Sequence, residues 1–289
     1  MKKTVTLILL LCVALSLSAC GKAEITVQEI YDACQIETLF KSHQSVSVQN
    51  ELDGIVWNEI YLTDEYVFDY VPGVDEESDY AELMKDDVNY VYSGGNYLCY
   101  FFITPDGVSD FASARAERYA SVFAADILDK TIESVSKKDG RIFVDSFLSE
   151  KAIAEKAEEG LISIKSEYVL DAKTNELISV ATDYVYEDEE VRDVTEVAYD
   201  EEAPEMLEVF LKYVNQTENL RNVTIVSNPG TEKELSQNFQ LPGGLIVGFT
   251  WDDAFKDKVE LCFDADCTES YNPYVNIDSD ITIYVKWAE

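Results

Sequence analysis

The chain reads as an α+β protein that is mostly β: a long antiparallel sheet with a leading and a closing helix, then a second, smaller β module. Three observations predict this. Alternating apolar and polar runs follow one another from residue 45 to residue 199, separated by Asp-Gly, Gly-Gly and Asp-Ala-Lys-Thr-Asn turns. Helical spacing appears only in short windows at the start, in the middle and near residue 204. After the polar stretch 216–222 the strand pattern changes and turn residues crowd in, which marks a linker and a new module.

Each element has its own signal. Thr26-Val27-Gln28-Glu29 is a capping box, and Val27, Ile30, Tyr31 and Cys34 follow it at helical spacing, so a helix is predicted from about Val27 to Lys41. Ser45–Leu52 and Ile55–Thr63 flank Asp53-Gly54, a strong hairpin signal. Tyr66, Phe68 and Tyr70 alternate on the next strand; Val88–Tyr92 and Tyr97–Thr104 flank Ser93-Gly94-Gly95-Asn96. Ala112, Ala116, Tyr119, Ala120 and Phe123 predict a helix near 109–126. Strands are predicted on both sides of Asp139-Gly140, then at Leu161–Leu170, Leu177–Tyr186 and Val191–Tyr199, with a short helix over Pro204–Tyr213. In Tyr97–Ile103 both faces are apolar. An exposed antiparallel face is polar, so both faces of this strand should be covered, by helices or by a ligand.

The N-terminus locates the chain. Lys2 and Lys3 precede an apolar run from Val5 to Ser18, shorter than the roughly 20 residues that span a bilayer. This is the pattern of a secretory signal, residues 1–19. Its end, Leu17-Ser18-Ala19-Cys20-Gly21, resembles the lipobox of bacterial lipoproteins. The resemblance implies that Cys20 receives a diacylglycerol and becomes the first residue of a mature chain tethered through 20–25. That chain is extracytoplasmic, on the surface of the bacterial cell membrane. Two acyl chains hold stably where one holds marginally.

Residues 26–215 resemble the LolA-like lipoprotein-carrier fold. The residues that carry the resemblance are Thr26 to Ile30, the paired strands with Trp57 and Tyr61, and the hairpin from Tyr168 to Val180. It implies a curved antiparallel sheet or open barrel packed on helices, with an apolar concavity that binds acyl chains or lipoproteins. This chain departs from freely shuttling carriers because it is itself lipidated. Residues 223–289 resemble the internalin B-type (Listeria–Bacteroides) repeat, through Asp264-Ala265-Asp266-Cys267-Thr268 and Asp280 to Trp287. That implies a small β-grasp-like module used as a spacer or interaction unit, with Trp287 as its core anchor. The family's Gly-Trp-Tyr is replaced here by Glu260-Leu261-Cys262, and only one copy is present.

Chemistry is sparse. With 57 acidic against 22 basic residues, net −35, the surface repels nucleic acid. No phosphate-binding glycine loop and no nucleophile elbow occurs. His43 is the only histidine; it follows the end of the predicted helix, where a cation is favourable, and reads as a helix-terminal residue. No zinc spacing occurs, and Asp264-x-Asp266-x-Thr268 lacks the glycine and glutamate of a calcium loop, so no metal or cofactor is expected. Once Cys12 leaves with the signal and Cys20 is lipidated, Cys34, Cys99, Cys262 and Cys267 remain. They are either buried small hydrophobes or disulfides, with Cys262–Cys267 close enough to bridge.

The expectation is a non-enzymatic lipoprotein that binds a lipid, another apolar ligand or an envelope protein. Trp57, Tyr61, Phe68, Tyr92, Tyr100 and Phe102 are the candidate apolar surface. The alternative is a surface structural or adhesion protein, with the sheet as scaffold and the C-terminal repeat as the interaction module.

Overall fold

The computed structural model describes residues 25–33, 35, 40–73, 79–109, 127–156, 160–255, 258–273 and 276–288. The predicted leader 1–19, Cys20, Cys34 and the helix predicted at 109–126, apart from residue 109 itself, lie outside the described residues. So does most of the acidic run 75–79. The strands are β1 (Ser45–Leu52), β2 (Ile55–Thr63), β3 (Tyr66–Val71), β4 (Tyr80–Lys85), β5 (Val88–Ser93), β6 (Asn96–Thr104), β7 (Gly107–Ser109), β8 (Lys130–Lys138), β9 (Arg141–Leu148), β10 (Leu161–Asp171), β11 (Leu177–Tyr186), β12 (Glu190–Tyr199), β13 (Leu220–Ser227), β14 (Leu235–Pro242), β15 (Ile246–Thr250), β16 (Val259–Cys262) and β17 (Ile281–Trp287). The helices are α1 (Val27–Ala33), α2 (Glu150–Lys156) and α3 (Glu205–Val214).

A curved, unclosed sheet of 13 strands runs in the order β15-β6-β5-β4-β3-β2-β1-β12-β11-β10-β9-β8, with β7 beside β6. Its hairpins form where the turn residues demand them. Asp53 and Gly54, Gly94 and Gly95, and Asp139 and Gly140 all have positive φ, the backbone that matches the twist of tightly turned strands. Thr26 and Glu29 close the capping box, with Glu29 N–H on Thr26 Oγ1 at 3.1 Å and Thr26 N–H on Glu29 Oε2 at 2.7 Å. The described helix ends at Ala33, and Gln35 is already non-helical.

Strand alternation gives the sheet two buried faces. On one, Tyr61, Phe68, Leu83, Phe101 and Ile103 meet Leu207 and Phe210 of α3 and the residues of a second sheet. On the other, Val46, Leu62, Val67, Val144 and Tyr168 meet Ile30 of α1 and Ile127; this is the helix face. The second sheet has four strands in the order β14-β13-β17-β16, with β13 and β17 parallel in its centre.

The C-terminal segment is interleaved with the large sheet. β13 begins inside the stretch expected to be a linker, at Leu220. β15 leaves the small sheet and pairs in parallel with β6, Val247 opposite Cys99. Val223, Ile225 and Ile283 are fully buried in the same core as Phe68 and Phe101. The small sheet therefore covers one face of the doubly apolar strand β6, where helices or a ligand were expected. Trp287 packs at the rim of this core, edge-on to Phe255 with ring centroids 5.3 Å apart. Cys262 and Cys267 are disulfide-bonded, their Cα atoms 5.1 Å apart. Asp264 holds the same loop: its carboxylate accepts the backbone N–H groups of Asp266, Thr268 and Glu269. Those bonds favour the ionised form and lower its pKa. Asp264, Asp266 and Thr268 thus build a turn.

Candidate functional site

Strand register defines two ends of the large sheet. The near end carries the turns at 139–140 and 172–176, His43 and, beside Ala172 and Asn175, Ile25. The far end carries the turns at 53–54, 94–95 and 187–189.

Across the middle of the helix face runs a row of polar side chains where apolar ones would continue the alternation. Asn50 follows Val46 and Val48; Asn58 precedes Ile60 and Leu62. The row spans nine adjacent strands, from Asn89 through Glu82, Asp69, Asn58 and Asn50 to Asp193, Thr182, Ser166 and Ser146. All but Asp193 are buried. Register places Asp69 opposite Glu82, Asn50 opposite Asn58, and Thr182 between Ser166 and Asp193. Most members bond to one another, as buried polar groups must. Asn50 Nδ2 donates to Asn58 Oδ1 at 2.8 Å, Asn58 Nδ2 donates to Asp69 Oδ1, and Asn89 Nδ2 donates to Glu82 Oε1. Thr195 Oγ1 donates to Asn50 Oδ1 at 2.8 Å. Lys130 Nζ donates to Ser166 Oγ at 2.8 Å, and Ser166 shares a 2.8 Å bond with Thr182. Two oxygens have no partner, Asn89 Oδ1 and Asp193 Oδ1; burial pushes the Asp193 carboxyl above its ordinary pKa.

The belt divides the helix face. The near half is the closed core under α1. The far half, on β4, β5, β6 and β15, is an open groove of about 600 Å³. Val91, Leu98 and Ile246 line it together with Tyr80 and Tyr100, and Glu82 and Asn89 of the belt also border it. This volume lies within the range of small-molecule sites. The space between α1 and the sheet, about 500 Å³, mixes apolar and charged walls: Ile25, Val135 and Ile142 line it beside Glu29, Asp32, Lys137 and Lys173.

A third groove, of about 590 Å³ at the near end, contains His43. His43 owes its place to two carboxylates rather than to a helix end. Its Nδ1 lies 2.8 Å from Asp200 and its Nε2 2.9 Å from Glu176, and the ring stacks on Tyr199 at 4.4 Å. It ties the start of β1 to the end of β12 and to the β10–β11 turn. Burial opposes its charge, but the hydrogen bonds and charges of Asp200 and Glu176 outweigh that, and its pKa is raised from 6.5. The stabilisation from this latch is full below pH 6.5 and is lost as pH rises through the higher folded value. As the only histidine, it gives a single imidazole signal by NMR. That signal should titrate above 6.5, and Glu176→Gln should bring the midpoint back down; a midpoint at or below 6.5 would contradict the latch.

The six aromatics singled out in the sequence do not line one surface. Tyr61 and Phe68 are buried on the small-sheet face, Tyr61 with its hydroxyl on the Glu201 carbonyl at 3.2 Å. Tyr92 is half-buried on that face against Tyr97. Phe102 packs at the edge of the core under α1. Trp57 is the extra residue of a β-bulge, between the Asn50–Asn58 and Glu51–Val56 pairs, and is 47% exposed. Only Tyr100 lines the far groove. The alternation that makes β6 apolar on both sides also sends its aromatics to opposite sides. Sequence reasoning missed Glu82, Asn89, Val91 and Ile246; a signal was present in the polar residues that break apolar registers, Asn50, Asn58 and Asp69 among them.

No family model matches the chain, and no curated protein matches it. Solved structures similar to this chain include two of low sequence identity. One is the lipoprotein LppX of Mycobacterium tuberculosis, 10% identical, with 62% of this chain and 99% of that chain covered and a TM-score of 0.36. The other is a LolA superfamily protein of Nitrosomonas europaea, 8% identical, with 63% and 97% covered and a TM-score of 0.23.

Proposed function

We propose that this chain is a LolA-like lipoprotein, anchored on the outer side of a bacterial membrane by diacylglycerol on Cys20, that holds an apolar ligand and catalyses no reaction. The observation that carries the reading is the far half of β6. There Leu98 and Tyr100 stay half-exposed in a groove of about 600 Å³, although the same strand buries Cys99, Phe101 and Ile103 completely on its other face. An apolar floor left open beside a closed core suits an alkyl chain. Anchoring adds an orientation. The tether 20–25 leads into Ile25 at the near end, while β1, eight residues long, runs about 26 Å toward the far end. The groove then lies on the half directed away from the anchor, open to an envelope partner or a second membrane. The test is native mass spectrometry of the mature chain from residue 20 on, without the leader and with Cys20→Ser to keep it soluble, after exposure to membrane lipid extract. A bound lipid mass supports the reading, and a bare protein mass at every lipid concentration contradicts it.

A further inference from the structure

The groove ends beside an oxygen with nothing to bond to. Asn89 is 8% exposed, and its Oδ1 has no hydrogen-bond partner. Its orientation follows from its neighbour. Nδ2 donates to Glu82 Oε1, so the amide nitrogen faces Glu82 and the oxygen faces away. A buried acceptor without a donor costs the fold more than a typical hydrogen bond returns. Native chains keep such groups rarely, and each calls for an explanation. Here a groove of about 600 Å³ adjoins the side chain.

We infer that this groove takes an uncharged amphiphile whose head carries a hydrogen-bond donor, a hydroxyl or an amide N–H. The donor reaches Asn89 Oδ1, and the alkyl chain lies over Val91, Leu98 and Ile246. The inference rests on the apolar-ligand reading above and names the ligand class of that same site. Glu82 acts as a positioning residue: it turns the Asn89 amide. The net charge of −35 disfavours carboxylate and phosphate heads. Tyr100 forms a wall whose place depends on Gly248 in β15, since a Cβ at 248 would fall 2.5 Å from its ring. β15 therefore supplies both part of the floor, through Ile246, and the space the wall needs.

The experiment uses three probes of one chain length: hexadecanol, its methyl ether and the hexadecanoate anion. Each displaces Nile red from the Cys20→Ser chain. Hexadecanol should bind about five- to tenfold more tightly than the ether, the gain of one hydrogen bond to a buried acceptor, and hexadecanoate should bind most weakly. Asn89→Leu, with its fold checked by circular dichroism, should erase the alcohol–ether difference and leave ether binding in place. Equal binding of alcohol and ether by the unsubstituted Asn89 chain overturns the inference and leaves the apolar groove standing. So does a difference that survives in a folded Asn89→Leu variant. Failure of all three probes to displace the dye overturns the groove reading and this inference with it.

Discussion

Asn58→Ala lowers the stability of the chain by about 3 kcal/mol, well above the typical cost of a polar-to-alanine change. Asn58 is 4% exposed and stands in the middle of the belt, accepting from Asn50 and donating to Asp69. Removing it leaves the Asn50 amide N–H without its acceptor and takes one donor from a buried carboxylate. Each buried group left unpaired costs about 1–3 kcal/mol, and charged groups cost more. The check is the urea midpoint at pH 7 with an unchanged m-value, which separates lost stability from a changed denatured state. A shift below about 1 kcal/mol would mean that water reaches Asn50 and Asp69, and that the belt is not a closed row.

Phe101→Ala costs about 4 kcal/mol, within the range for deleting a buried aromatic ring. Phe101 is fully buried on the small-sheet face of β6. Its ring lies 4.6 Å from Phe239 of β14 and 6.0 Å from Phe249 of β15. One side chain therefore touches the large sheet, the small sheet and the strand that passes between them. Both sheets should lose stability together, in a single denaturant transition followed by near-ultraviolet circular dichroism. A variant in which the C-terminal 70 residues unfold first, with the rest unchanged, would contradict the shared core.

Local signals made most of the large sheet legible. Asp53-Gly54 and Asp139-Gly140 dictate tight turns by backbone geometry alone, so β1, β2, β8 and β9 are specified within a few residues of chain. The capping box of α1 and the apolar stripe of α3 are equally local. Pairing between distant segments is not. Nothing within Ile246-Val247-Gly248-Phe249-Thr250 says that this strand leaves its neighbours to lie beside β6, because that choice depends on Tyr100, some 150 residues earlier. β4 carries a weak sequence signal because Glu82, which interrupts its apolar run, looks like surface until Asp69 and Asn89 are placed around it. The candidate site was legible only in part. The doubly apolar β6 pointed to a strand that borders the far groove, but aromatic content pointed to side chains that the alternation sends mostly into the core.

The lipid-exposed native mass measurement tests the central claim most directly when two variants are run beside the Cys20→Ser chain. Leu98→Glu places a charge on the groove floor, and Val209→Glu places one on the exposed side of α3, away from the groove. Binding in the groove predicts a bound lipid mass on the parent and on Val209→Glu, and its loss on Leu98→Glu. Retention of the same mass by all three, or no bound mass on any, would contradict it.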